Sequence, residues 1–325
     1  MKFQRTLKSS AALSKLSPTL YEKRSLRLVT KNIQIALFIF VLIALGAFLS
    51  VPALISDKNT PSVLRVGVLP DENPEVLRNR YAPLLKHLSE EIGMNTQLIL
   101  PSDYGELSRL FQDGEIDMAY FGGLTFVQAS INNDAEALVM RDIDMRFSSF
   151  FLSRPDSTKK NLSDFKGMRF SFGSQLSTSG HLMPRYFMKS QLQISPETFF
   201  SSVAYSGSHD KTAIQIKDEL IDLGVANSII IKRMIAEGRL GKNELQIVWE
   251  TPPYVDYVWA VQKALDEGLK NKIRDVFLGL DANNANHKPI LDHMGAVSFL
   301  PSGNQDFLSL ERTARNLGML GTNPQ

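Results

Sequence analysis

From Val63 onward, short apolar strands alternate with amphipathic helices, and the alternation starts afresh near Phe147. Val63–Leu69 reads as a buried strand that ends in a turn at Pro70. Leu77, Tyr81, Leu84, Leu85, Leu88 and Ile92 then form one stripe of a helix over Leu77–Ile92, with Gly93 suited to its C-cap. Thr96–Leu100 is the next strand, Tyr104–Asp113 the next helix, and Ile116–Phe121 a strand that runs into Gly122-Gly123. The second set has strands at Phe147–Ser153, Arg169–Gly173, Ser202–Tyr205, Leu223–Asn227 and Leu245–Trp249. Its helices are expected beyond Gly180 and over Lys211–Glu219 and Ile229–Glu237, with a helical tail at Ala264–Leu278 and Phe307–Leu317. Two such units of about 100 residues each predict two α/β lobes, built on mostly parallel sheets, with a cleft between them.

The N-terminal segment obeys different rules. Residues 1–32 hold eight Lys or Arg against the single acid Glu22, so the remaining 293 residues carry 28 bases and 33 acids. A mildly acidic body argues against nucleic acid as partner, because phosphate backbones need a broad basic face. The basic head leads into Ile35–Leu49, fifteen residues without a polar side chain, and apolar character resumes after Ser50 as far as Ile55. A helix of that length spans about 30 Å of hydrocarbon. The basic flank places residues 1–32 in the cytoplasm and everything after the segment across the inner membrane. Residues 33–55 are expected to be a transmembrane signal anchor; the alternative is an export signal cut near Val51-Pro52-Ala53. The chain has no cysteine, which removes disulfides, thiolate metal sites and thiol nucleophiles.

The chemistry concentrates at Ser177-Thr178-Ser179-Gly180, followed thirty residues on by Ser208-His209-Asp210. Three hydroxyls at the mouth of a helix, where N–H groups lack intrahelical partners and the dipole is positive, suit a tetrahedral oxyanion. Read from the residues alone, Ser177 or Thr178 is more simply an N-cap, the usual place of such residues. A nucleophilic triad is not supported: His209 and Asp210 are adjacent, which denies the carboxylate the orienting position, and there is no Gly-x-Ser-x-Gly elbow. The other histidines (His87, His181, His287, His293) show no metal-ligand spacing, so neither catalysis, metal nor cofactor is expected.

Several stretches, in order along the chain, resemble one family. They are Asp117–Gly122, Ser171–Pro184 around the hydroxyl run, Gly207-Ser208-His209-Asp210, Glu250–Tyr257 and Gly295–Phe299. From about Val63 to Leu320 the chain resembles the phosphonate-binding periplasmic proteins, the substrate-capturing components of phosphate, phosphite and phosphonate importers. The resemblance implies a type II periplasmic binding fold, with lobe 1 formed by residues 63–146 plus 258–320 and lobe 2 by 147–257. It implies that Ser177, Thr178 and Ser179 donate to the anion, and that His209 adds a donor and, near neutrality, a charge. Tyr120 would reach over the cleft, the alternative being a core aromatic. Asp210 and Asp256 would meet the rest of the ligand, the alternatives being an N-cap and a solvated turn. Trp249, Tyr254, Tyr257 and Trp259 either line the cleft or pack in the core. The family usually has Pro where this chain has Gly123, a change expected to loosen a loop near the cleft. The partners implied are a small phosphorus oxyanion and an ABC permease; the alternative is a membrane-tethered sensor that signals through a partner.

Overall fold

The computed structural model describes residues 61–155 and 158–320. The basic head, residues 1–32, and the expected anchor, residues 33–55, lie outside the described residues. Among the described residues no helix is long and apolar enough to cross a membrane.

Eleven strands form two sheets among the described residues. The first is built from β1 (Val63–Val68), β2 (Asn95–Ile99), β3 (Met118–Phe121), β4 (Glu136–Arg141), β10 (Val258–Val261) and β11 (Phe299–Pro301), in the order β11-β4-β10-β3-β1-β2. The second holds β5 (Ser149–Ser153), β6 (Arg169–Phe172), β7 (Ser202–Tyr205), β8 (Leu223–Asn227) and β9 (Gln246–Glu250), in the order β7-β6-β8-β5-β9. Each sheet has a parallel half made by strand–helix–strand crossovers: β1 with β2 and β3, and β6 with β7 and β8. The expectation of mostly parallel sheets is corrected in the other halves. There β10 runs antiparallel to both β3 and β4, and β5 antiparallel to both β8 and β9. The reason is topological. The chain leaves the first sheet after β4 and returns only at β10, which inserts between strands laid down some 120 residues earlier.

The strand β10 was absent from the sequence reading, although all four of its residues are buried and Trp259 is fully so. Four residues behind Pro252-Pro253 give too short a period to read. The two segments that pass between the sheets pair with each other, Phe147 N–H donating to Tyr254 O (2.7 Å) and Tyr254 N–H to Phe147 O (3.0 Å).

Helix Pro74–Ile92 buries the expected stripe, Leu77, Leu84 and Leu88 completely, against the first sheet. Each such side chain contributes about 1.5–3 kcal/mol by leaving water. The helix begins earlier than Leu77 because Asn73 caps it, Oδ1 accepting from Glu75 N–H, and Pro74 needs no N–H donor at the first position. A helix the sequence reading missed, Gly123–Asn133, starts directly after β3, and its N-terminus faces the second sheet's loops.

Candidate functional site

The hydroxyl run opens a widened helical turn. Residues Thr178–Leu182 are π-helical, with Leu182 N–H donating to Ser177 O (3.0 Å), and lead into the α-helix Met183–Gln191. Ser177 Oγ accepts from Gly180 N–H (2.8 Å), the N-cap role that was the simpler reading of this residue. Gly180 is required by close approach. A Cβ there would lie 2.9 Å from Ser177 Oγ and 3.0 Å from the His209 ring, so only glycine lets the imidazole settle against this turn.

The second and third hydroxyls act differently. Thr178 Oγ1 accepts from Leu124 N–H (2.8 Å), tying the turn to the N-terminus of helix Gly123–Asn133 on the first sheet. Ser179 Oγ is buried and has no hydrogen-bond partner. Its carbonyl is fixed by Ser149 Oγ at 2.7 Å, and Ser149 in turn meets Tyr254 Oη at 2.5 Å.

Asp256 sits opposite, fully buried rather than in a solvated turn. Its Oδ1 accepts from Gly123 N–H (3.0 Å), while Oδ2 has no partner. Gly123 is therefore the first residue of a helix, not part of a loosened loop, and its amide is a donor that proline would lack. With Gly122 offering no side-chain cap, Asp256 and Thr178 cap this helix from a distance. Burial pushes the Asp256 carboxyl up to about 7. The Gly123 amide and the nearby Thr178 and Ser179 hydroxyls oppose the rise, and the charge of Asp144 adds to it.

His209 is fully buried at the start of helix His209–Lys217. Its Nδ1 accepts from Asn227 N–H (3.2 Å), so the ring proton resides on Nε2, and Nε2 has no partner. Burial holds the imidazole down at about 4, against a small opposing effect of Asp210. The expectation of a charge near neutrality is thereby corrected: the imidazole is neutral there, because burial outweighs the charge of Asp210.

Tyr104, at the first position of helix Tyr104–Gln112, completes the set. Its hydroxyl is buried without a hydrogen-bond partner beside Ser177, within range of the charges of Asp71 and Asp256, and burial keeps it protonated. In the sequence pattern Tyr104 marks only the start of a helix. The available signal was its place just beyond a strand's carboxyl end, where ligands of α/β sheets bind.

Two expected residues stand elsewhere. Asp210 has both oxygens engaged: Oδ2 accepts from Asn73 N–H (2.9 Å), and Oδ1 accepts from Ser208 Oγ (2.5 Å) and Lys211 N–H (2.8 Å). Ser208, not Asp210, occupies the N-cap position. Tyr120 is stacked on Tyr257 (5.1 Å between ring centroids) and lies 4.7 Å from Trp259, so the core-aromatic alternative describes its ring. Tyr120 lines a cavity of about 10 Å³ together with Asp71, Arg141, Arg233 and Tyr257, which none of Ser177, Thr178, Ser179 and His209 lines. Of the other aromatics, Trp259 is core and Trp249 packs on Phe151 (5.3 Å). His181, tempting by position, is turned away: its Nδ1 meets Gln175 O at 2.7 Å and its Nε2 accepts from Arg185 Nε at 3.0 Å.

Residues 66–307 match the profile of a family described as ABC transporter, phosphonate, periplasmic substrate-binding protein. The chain belongs to this family. Among its relatives, a probable ABC transporter phosphite binding protein, PhnD1, of Prochlorococcus marinus is 32% identical over 274 residues, covering 81% of this chain and 92% of the relative. The phosphate-import protein PhnD of Mycolicibacterium smegmatis is 29% identical over 236 residues, 69% of this chain and 73% of that one. The solved structure of Prochlorococcus PhnD1 in complex with methylphosphonate superposes with a TM-score of 0.74, covering 80% of this chain and all of that one. The two-lobed α/β architecture of such binding proteins is thus the architecture of residues 63–320, and family membership makes the chain a transport component that works with an ABC permease.

Proposed function

We propose that this protein captures a small phosphorus oxyanion, such as phosphite, methylphosphonate or phosphate, by closing lobe 1 (63–146 plus 258–320) against lobe 2 (147–257). One observation carries the reading. Four buried polar atoms without partners, Tyr104 Oη, Ser179 Oγ, His209 Nε2 and Asp256 Oδ2, come from both lobes and the crossing between them. Leaving such atoms unpaired costs about 1–3 kcal/mol each, a cost that a ligand able to bond them removes. Three are neutral donors and one is a carboxylate. Donors of this kind hold anionic oxygens in a dry site, where each bond is strengthened by the low dielectric. Once ionised, above about pH 7, Asp256 accepts through Oδ2 the proton of a P–OH group, which favours singly protonated anions. Ser177 and Thr178 shape the turn, and Thr178 also links the lobes. Tyr120 and Asp210 support the site from behind.

The relatives named for phosphite and phosphate and the methylphosphonate complex support this ligand class. We further propose that residues 33–55 anchor the protein on the periplasmic face of the inner membrane. The support is the apolar run Ile35–Ile55 behind a head of eight basic residues.

Titration calorimetry with phosphite, methylphosphonate, phosphate, 2-aminoethylphosphonate and sulfate tests the ligand class. At pH 8, where Asp256 is ionised, at least one of the first three is expected to bind, and sulfate, which has no proton to give Asp256, is expected to fail. Binding of sulfate as tight as that of any phosphorus anion would overturn the assignment.

A further inference from the structure

Three consecutive residues just beyond β1 each hold a different group of the second lobe. Asp71 O accepts from His209 N–H (3.1 Å). Asp71 Oδ2 accepts from Tyr257 Oη (3.0 Å), which itself accepts from Asn227 Nδ2 (3.1 Å). Glu72, whose side chain is fully buried, pairs through Oε1 with Arg239 Nη2 (2.6 Å) and through its other oxygen with Arg80 of its own lobe. Asn73 N–H donates to Asp210 Oδ2 (2.9 Å). His209, Asp210, Asn227 and Arg239 all belong to the second sheet's half of the chain, so the bonds to them join the two lobes. Asp71, Asn227 and Tyr257 also line a cavity of about 10 Å³, room for no more than about one water, while Asn73, Asp210 and Arg239 border an open groove of about 460 Å³.

We propose that Asp71-Glu72-Asn73 is the closing clasp of this protein, a set of positioning residues that govern how long the anion is held without touching it. Its leverage comes from where it grips. Two of its partners, His209 and Asp210, begin the helix that presents the Nε2 donor, so the clasp fixes that donor from the opposite lobe. Its reversibility comes from shared partners. When the lobes part, Glu72 keeps Arg80 and Arg239 keeps Glu237 (2.7 Å), so opening strands no buried charge. The proposal rests on two-lobe capture of an anion, and its test separates the two ideas.

The substitution Arg239→Gln removes the charge that reaches across while leaving Glu72 paired, and Arg239 is one-quarter exposed, so the fold is expected to survive. Since the chain has no cysteine, Lys86→Cys and Lys189→Cys, both exposed and one on each lobe, provide two unique spin-label positions. In the full chain, with phosphite or methylphosphonate as probe, Arg239→Gln is expected to release the anion about tenfold faster with association changed less than about twofold. The short inter-label distance is expected to lose population with and without anion, and Arg239→Lys to restore both readouts in part. Wild-type release rate and distances in Arg239→Gln would overturn the clasp. Failure of both anions to bind the wild-type protein would instead overturn the ligand assignment, while the label distances would still decide the clasp.

Discussion

Asp256 offers the sharpest quantitative test of the site. Its carboxyl is lifted from an ordinary 3.8 to about 7, chiefly by burial. Three pK units correspond to about 4 kcal/mol, at ~1.4 kcal/mol per unit. The sign follows from proton occupancy. Below pH 4 Asp256 is protonated in both folded and unfolded chains and costs nothing. Between pH 4 and pH 7 the unfolded chain ionises while the folded one keeps its proton, so stability falls as pH rises. Above pH 7 the loss is complete. Asp256→Asn keeps an acceptor for Gly123 N–H and cannot ionise, so it escapes the loss. Urea unfolding of both proteins in phosphate-free buffer should therefore show the variant gaining on the wild type by about 3 kcal/mol between pH 5 and pH 8. Asp71, lifted by burial to about 6, titrates in both proteins and cancels in the difference. Parallel stability curves over that range would refute the claim that Asp256 is buried with only Gly123 and two hydroxyls for support.

Ser179→Ala and Tyr104→Phe each remove one buried hydroxyl. Each should weaken anion binding by about 1–3 kcal/mol in calorimetry, more than it lowers stability measured by urea unfolding. Ser177→Ala should do the reverse, costing about 1 kcal/mol of stability through the lost cap at Gly180. The His209 ring should remain neutral, with its proton on Nε2, from pH 5.5 to pH 8 in nitrogen-detected NMR; a titration midpoint above 6 would contradict its enclosure. Gly123→Pro preserves a residue suited to the first helical position but removes the donor to Asp256, so the pH at which anion affinity changes should move upward.

Contiguity decided what could be read from the chain alone. The run Ser177–Gly180 announced a helix mouth because cap, hydroxyls and glycine are neighbours in sequence, and the stripe Leu77–Ile92 announced its helix by period. The two-lobed α/β plan followed from the same local patterns, and the quoted stretches from Asp117 to Phe299 pointed to the family. Tertiary structure alone determined how the site is shared out. Tyr104, Ser179, His209 and Asp256 are separated by 30 to 75 residues, and only the fold buries all four with a polar atom left unpaired. The neutrality of His209, the raised carboxyl of Asp256 and the withdrawal of Asp210 to the clasp all arise from burial and from partners across the cleft, and no pattern of neighbouring residues records either.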